Sequence, residues 1–429
     1  MKNNKKDKLT WRRLDNSAKI FPMSTGEKYS TVFRISVLLK EFVKPEILQE
    51  AVNETLKKYE LFKVKLRPGL FWYYLEENTK DAIVEEEKDY PCKYIEPKKN
   101  NDYLFKVTYF ETKINIDIFH ALTDGNSGIT FFREIIYTYL EMCYKDELKK
   151  ENRLVRKIEY NTEDSYMKNY DKKAKSNESK KRAYELKGGK IKLGAVSAIH
   201  EIISSEDLKK ECSKYNATTT QYLTAVLIHT IYNQNYKGKK PIKTCIPVNL
   251  KKYFPSKTMS NFFSYITLVA QMNEGKLDTF EKIVEFVKSE FERRLTEEEI
   301  IKTMSANVKL GNNPFIKLIP LPLKNIIVRL GYIEIRKHTT ITYSNLGRVG
   351  IIGDYQKYID YFLVLIAPES VEKIKCSSCT FDNKVVFTFT SILDNNKIEK
   401  AFYKFLKDKG INIKIESNGV LDDISTEIK

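Results

Sequence analysis

Between residues 146 and 192 the chain loses its apolar periodicity and turns polar and Lys-rich. This interruption constrains the fold more than any other feature. It divides 429 residues into two stretches, each long enough to bury a core of its own. Upstream, Leu48, Val52, Leu56 and Tyr59 recur at helical spacing over 44–59, with Pro45 near the start. A hairpin turning at Pro68-Gly69, a second hairpin over 104–120 and an apolar helix over 129–145 follow. Downstream, "AVSAIHEII" (195–203) reads as a strand, and residues 204–215 as a helix capped by Ser205 ahead of Glu206 and Asp207. A buried helix is expected over 218–234, further strands at "KPIKTCIPVNL", "FFSYITLVAQM", "YFLVLIA" and "KVVFTFTS", and a closing helix ending at Gly410. Hairpins take the place of strict βαβ alternation, which indicates an α+β protein with mixed sheets. The expected division is an N-terminal lobe (1–170), a Lys-rich connection (171–192) and a C-terminal lobe (193–429).

Composition narrows the function classes. The longest apolar run, near "YFLVLIAP" (361–368), is too short to span a bilayer. The basic N-terminus has no apolar segment behind it, so no secretory signal is read and a cytosolic location is expected. Six cysteines include one "CSSC" (376–379) with no second pair and no histidine near it, read as ordinary residues of a β-hairpin. The net charge of +17 suits an anionic partner. It is spread along the chain, with no aromatic-basic RNA motif and no zinc-finger spacing, so nucleic acid is set aside in favour of an anionic cofactor or carrier. No metal-ligand spacing, GxSxG, P-loop or GxGxxG in a strand–helix setting is present.

One of four histidines lies in "INIDIFHALTDGNSG" (114–128). Side-chain parity puts Ile114, Ile116, Ile118 and His120 on one apolar face of a strand, and Asn115, Asp117 and Phe119 on the other. His120 then stands where the strand leaves the sheet. Asp124-Gly125 is expected to turn tightly, with Gly125 at positive φ and Asn126 or Ser127 capping the next helix. The residues alone leave two readings open. His120 is a satisfied core histidine, or it is a neutral, partly desolvated general base acting on a hydroxyl or amine. In the second reading Asp124 braces the loop through an arginine, or orients the ring.

"HALTDG" fits the HxxxDG motif of the chloramphenicol acetyltransferase and condensation-domain superfamily. "RLDNSAKIFP" (13–22) resembles the N-terminus of its bacterial alcohol acetyltransferase-like members, and residues 48–76 resemble their first helix and hairpin. "IPVNLKKYFPSKTMSNFF" (246–263) is similar to the segment that crosses the active-site channel, and "TYSNLGRVG" (342–350) to a late SNLG segment. The resemblance implies two chloramphenicol acetyltransferase-like lobes with mixed sheets flanked by helices and a channel between them. It implies an acyltransferase that moves an acyl group, acetyl in the first instance, from acyl-CoA to an alcohol or amine. His120 would be the base, and Asp124 and Gly125 structural. Nothing is bound permanently; acyl-CoA, or a phosphopantetheine thioester, is a co-substrate. Condensation domains of peptide synthetases usually carry a second histidine where this chain has Phe119, which favours the acetyltransferase-like branch. The alternatives are a free-standing condensation-type enzyme fed by an acyl carrier protein, and a non-catalytic binding member of the fold. A monomer is expected, since two lobes in one chain need no second subunit.

Three polar residues are candidates for the channel or the oxyanion: Asn261, Ser344 and Asn345. The competing reading of the last two is a turn in which Gly347 supplies the positive φ. His200, His229 and His338 read as background. The apolar and basic segment 315–337 is expected to be a core helix with a solvated Lys/Arg face, the other reading being contact with a membrane surface or an acyl chain.

Overall fold

The computed structural model describes residues 11–26, 30–148, 161–175, 179, 181–234, 236–272 and 275–421. Residues 1–10 and much of the Lys-rich stretch, including 149–160, lie outside them. The described strands form three sheets among helices, as an α+β reading requires. A five-stranded sheet runs in the order Ile359–Ile366, Val32–Leu39, Lys113–Phe119, Phe105–Phe110, Val84–Glu86. A seven-stranded sheet runs Phe263–Ala270, Ile242–Asn249, Ile341–Arg348, Ile374–Phe381, Lys384–Ser391, Ser197–Ser204, Ile413–Ser417. Both mix parallel and antiparallel pairs. A small sheet joins Trp11–Arg13 to the hairpin of Val64–Pro68 and Tyr73–Glu77. The edge strand Ile359–Ile366 of the five-stranded sheet comes from beyond the Lys-rich connection, so the late part of the chain reaches back into the first core. Among the described residues no helix is long and apolar enough to cross a membrane.

The described residues form two hydrophobic clusters; the second is built almost wholly from residues after the connection, while the first joins residues of the first stretch to others such as Val349, Phe362, Phe381 and Val386. In the first, Phe131 of the helix Gly125–Cys143 stacks on Phe62 at 4.1 Å. In the second, Phe387 stacks on Phe402 at 4.6 Å, which fastens the closing helix Lys397–Asp408 to the seven-stranded sheet. That helix ends through Gly410, whose φ of +79° admits the left-handed turn. The CSSC cysteines are buried strand residues; Cys376 faces Phe389 and Cys379 faces Val386 across the hairpin. The helix beginning at Ser205 is capped by Ser204 and not by Ser205, because it is the Ser204 hydroxyl that accepts the Asp207 N–H, at 3.2 Å.

Parity holds along Lys113–Phe119, with one amendment. Ile114, Ile116 and Ile118 are fully buried, but the opposite face is buried as well. Asp117 accepts from Arg34 Nε at 2.9 Å and Nη2 at 2.6 Å, and Asn115 meets Ser36 at 2.6 Å. A second polar layer therefore lies under the sheet, and its charges persist because they are paired.

The segment 315–337 corrects the expectation of a core helix. Its main part, Leu321–Arg336, turns apolar side chains outward: Ile326 is 60% and Leu330 65% exposed. The buried positions are Leu321 and Lys324. Lys324 Nζ donates to the Phe71 carbonyl at 2.7 Å and sits 3.7 Å from the Trp72 ring centroid. The cation points inward because the β-hairpin loop offers it a carbonyl and an aromatic face. The far end is anchored by Arg336, which donates to Tyr332 Oη at 2.7 Å and lies 3.4 Å from Glu369.

Candidate active site

His120 stands one residue beyond the strand Lys113–Phe119, its N–H held by the Thr31 carbonyl at 3.0 Å. A turn over 120–122, closed by the Leu122 N–H on the Phe119 carbonyl at 2.9 Å, leads to the helix Gly125–Cys143. Asp124 is the cap: Oδ1 accepts the Ser127 N–H at 2.9 Å. Capping by Asn126 or Ser127 is thus overturned, and so is a positive φ at Gly125, which is already helical. Asp124 Oδ2 accepts the Phe262 N–H at 2.9 Å, so one carboxylate ties the helix start to the entry of the strand Phe263–Ala270. The brace runs through backbone amides and not through an arginine.

That tie brings Asn261 to the histidine. Asn261 Nδ2 donates to the His120 carbonyl at 3.0 Å and to Asp15 Oδ2 at 3.1 Å. A backbone carbonyl can only accept, and Asp15 Oδ2 accepts the Asn261 N–H as well, so the amide nitrogen lies on their side and Oδ1 faces His120 Nδ1, at 3.0 Å. An amide oxygen accepts, so Nδ1 carries the proton and the neutral ring keeps its lone pair on Nε2. Asp15 holds the amide in this orientation. It also accepts the Asn261 N–H at 3.0 Å and, through Oδ1, the Ala18 N–H at 2.8 Å. Burial pushes the Asp15 carboxyl up to about 7, against the pull of these N–H bonds.

Aromatic rings enclose the imidazole. Phe21 stacks on it at 4.7 Å, Phe33 meets it edge-on at 5.1 Å, and Phe263 tilts over it at 5.2 Å. Desolvation in this setting holds the His120 pKa below its ordinary value, while the Asn261 bond works in the opposite sense. The arrangement keeps a neutral, oriented base at neutral pH.

A cavity of about 380 Å³ opens at the first turn of the helix Gly125–Cys143, by Asn126 and Ser127. Four cationic residues line it: Arg133, Lys251, Lys257 and Arg348, with no carboxylate among the lining residues. Lys251 Nζ donates to Ser127 Oγ at 2.8 Å. Cations and a helix N-terminus together favour an anion.

Of the predicted residues, His120, Asp124 and Asn261 come together. Ser344 and Asn345 do not contact the ring. Asn345 is occupied by Thr220 at 2.8 Å and by the Gly347 N–H at 2.8 Å; Gly347 has the expected positive φ, +79°, but at a register shift inside the strand Ile341–Arg348 and not in a turn. Sequence reasoning missed Asp15 and the three phenylalanines. Asp15 lay inside the quoted stretch "RLDNSAKIFP", and its burial at 6% exposure is what the sequence does not display. His200 packs in a strand beside Thr388 Oγ1, at 3.0 Å, and burial lowers it to about 4. Among the described residues no cluster of His, Cys, Asp or Glu could hold a metal.

No protein-family model matches the chain, and no curated protein sequence matches it. Solved structures do. A trichothecene 15-O-acetyltransferase from Fusarium sporotrichioides superposes with a TM-score of 0.60 at 8% identity, over 93% of this chain and 95% of that one. TRI101 from the same organism, complexed with coenzyme A and T-2, gives 0.61 at 9%, over 94% and 99%. The starter condensation domain of rhizomide synthetase, in complex with C8-CoA and Leu-SNAC, gives 0.57 at 9%, over 93% and 94%. The chain has the fold of the chloramphenicol acetyltransferase-like and condensation-domain proteins.

Proposed function

We propose that the protein is an acyltransferase that moves an acyl group from a CoA thioester to an alcohol or amine, with His120 Nε2 as general base. The observation that carries the reading is the fixed tautomer: Asp15 orients Asn261, and Asn261 leaves Nε2 unprotonated. In the reaction Nε2 takes the acceptor's proton as its oxygen or nitrogen attacks the thioester carbonyl. The tetrahedral intermediate then expels the CoA sulfur, which leaves as thiol with the proton returned from the imidazolium. Base catalysis of this kind supplies roughly 10²–10⁴-fold, and alignment of donor and acceptor much of the rest. The cationic cavity at the helix N-terminus suits the phosphates of the donor. Phe119, in place of a second histidine, argues against a carrier-fed condensation reaction. The reading includes a division into lobes at the Lys-rich stretch, with Ile359–Ile366 crossing back into the N-terminal lobe, a monomeric site and a cytosolic location.

The test is thiol release from acyl-CoA across a panel of alcohols and amines, comparing wild type with His120→Ala. The expected result is acceptor-dependent release that falls by roughly 10²–10⁴-fold in a folded variant. Wild-type turnover in His120→Ala refutes the role of the histidine. A wild type that consumes no thioester refutes the activity.

A further inference from the structure

We propose that the face formed by residues 315–335 and the adjacent hairpin loop is a docking surface for a bilayer carrying anionic phospholipids. This goes beyond the acyl-transfer reading and does not depend on it.

The argument begins with the inverted helix. A water-facing helix hides its leucines and exposes its lysines. Leu321–Arg336 departs from this at its centre: Lys324 is 1% exposed, whereas Ile326 is 60% and Leu330 65% exposed, with Leu321 buried beside Lys324. The preceding short helix Pro314–Leu318 continues the surface with Phe315 at 81% and Leu318 at 71%. The hairpin loop joins it, because the Leu321 N–H donates to the Leu70 carbonyl at 3.0 Å and the Leu70 side chain is 73% exposed. Single exposed apolar residues need no explanation, but a run on two successive helices and a loop tip marks an interaction site.

Charge selects the occupant. Between residues 313 and 337 the cations are Lys317, Lys324, Arg329, Arg336 and Lys337, and the lone acid is Glu334, which pairs with Lys337 at 2.8 Å. Lys19 stands close enough to Lys317 and Lys324 for their charges to repel. Lys324 and Arg336 are turned inward, which leaves the exposed Lys317 and Arg329 beside the apolar side chains. Apolar side chains flanked by cations match the lipid–water interface of an anionic membrane, where the leucines enter the acyl boundary and these cations meet the headgroups. No described helix can span a bilayer, so the element lies on the surface. The inner side of the helix packs on the short helix Phe21–Ser24, whose Phe21 ring stacks on His120.

The experiment is flotation of the full chain with vesicles of phosphatidylcholine alone or mixed with phosphatidylglycerol, at low and high salt. Wild type is expected to float with the mixed vesicles, about tenfold more weakly with phosphatidylcholine alone, and more weakly at high salt. Ile326→Glu combined with Leu330→Glu changes two exposed positions and should reduce binding by about tenfold or more. Lys404→Glu combined with Lys407→Glu, on another surface helix, should change it less than about twofold. Absence of wild-type binding overturns the proposal, as does equal binding by the Ile326/Leu330 variant or equal loss in the Lys404/Lys407 variant. A wild-type dimer that the Ile326/Leu330 variant converts to monomer also overturns it.

Discussion

Asn261→Ala isolates the tautomer argument. The side chain makes three hydrogen bonds, to His120 Nδ1, the His120 carbonyl and Asp15 Oδ2. The first of these changes strength during the reaction. A neutral hydrogen bond contributes about 1 kcal/mol and one to a charged partner about 1.5–3. As Nε2 accepts a proton the ring becomes a cation, and the Nδ1–H···Oδ1 bond passes from the first class to the second. The differential stabilisation of the transition state is then about 0.5–2 kcal/mol, or roughly 2- to 30-fold in kcat/KM. The pH profile gives an independent sign. The Asn261 bond raises the His120 pKa while burial lowers it below 6.5, so deleting the bond lowers it further. Base activity is lost as pH falls through that pKa, and the acid limb of kcat/KM should therefore move to lower pH in the variant. Stopped thiol-release assays from pH 5 to 8 on protein of verified fold measure both effects. A kcat/KM within about twofold of wild type, with an unmoved acid limb, refutes the role assigned to Asn261.

Two further outcomes follow from other parts of the molecule. Glu399 is buried, neither oxygen has a hydrogen-bond partner among the described residues, and burial raises it from 4.5 to about 7. A raised folded pKa gives stability that is full below about 4.5 and lost as pH rises through about 7; the shift amounts to about 3 kcal/mol at most, and Glu399→Gln should flatten this slope in denaturant unfolding at pH 5 and pH 8. Lys257 and Arg348 rim the cationic cavity, so replacing both with Ala should raise KM for acyl-CoA by about tenfold with little change in kcat, and should weaken its dependence on salt.

The sequence displayed what is local and periodic. Helix and strand positions, the apolar parity of Ile114, Ile116 and Ile118, and the positive φ at Gly347 all follow from spacing and from φ preferences that a few neighbours decide. The motif histidine stood out because its surroundings were a strand end and a helix start. Asp15 did not, because its role exists only after folding: its partner Asn261 is 246 positions away, and nothing near Asp15 in the chain signals burial. The same reasoning explains the misread helix. Amphipathic spacing in 321–336 shows that apolar and basic sides differ, but it does not say which side faces inward. That choice was made by the Phe71 carbonyl and the Trp72 ring, 253 and 252 positions from Lys324, which give the ammonium a better inward partner than water. With Lys324 and Leu321 inward, Leu323, Ile326, Ile327 and Leu330 face out. The exposed face is therefore a consequence of one long-range cation contact, and removing that contact with Lys324→Leu should let the helix roll its apolar side toward the hairpin. Protection of Ile326 and Leu330 from solvent labelling in that variant would show the roll, and unchanged labelling would refute this causal order.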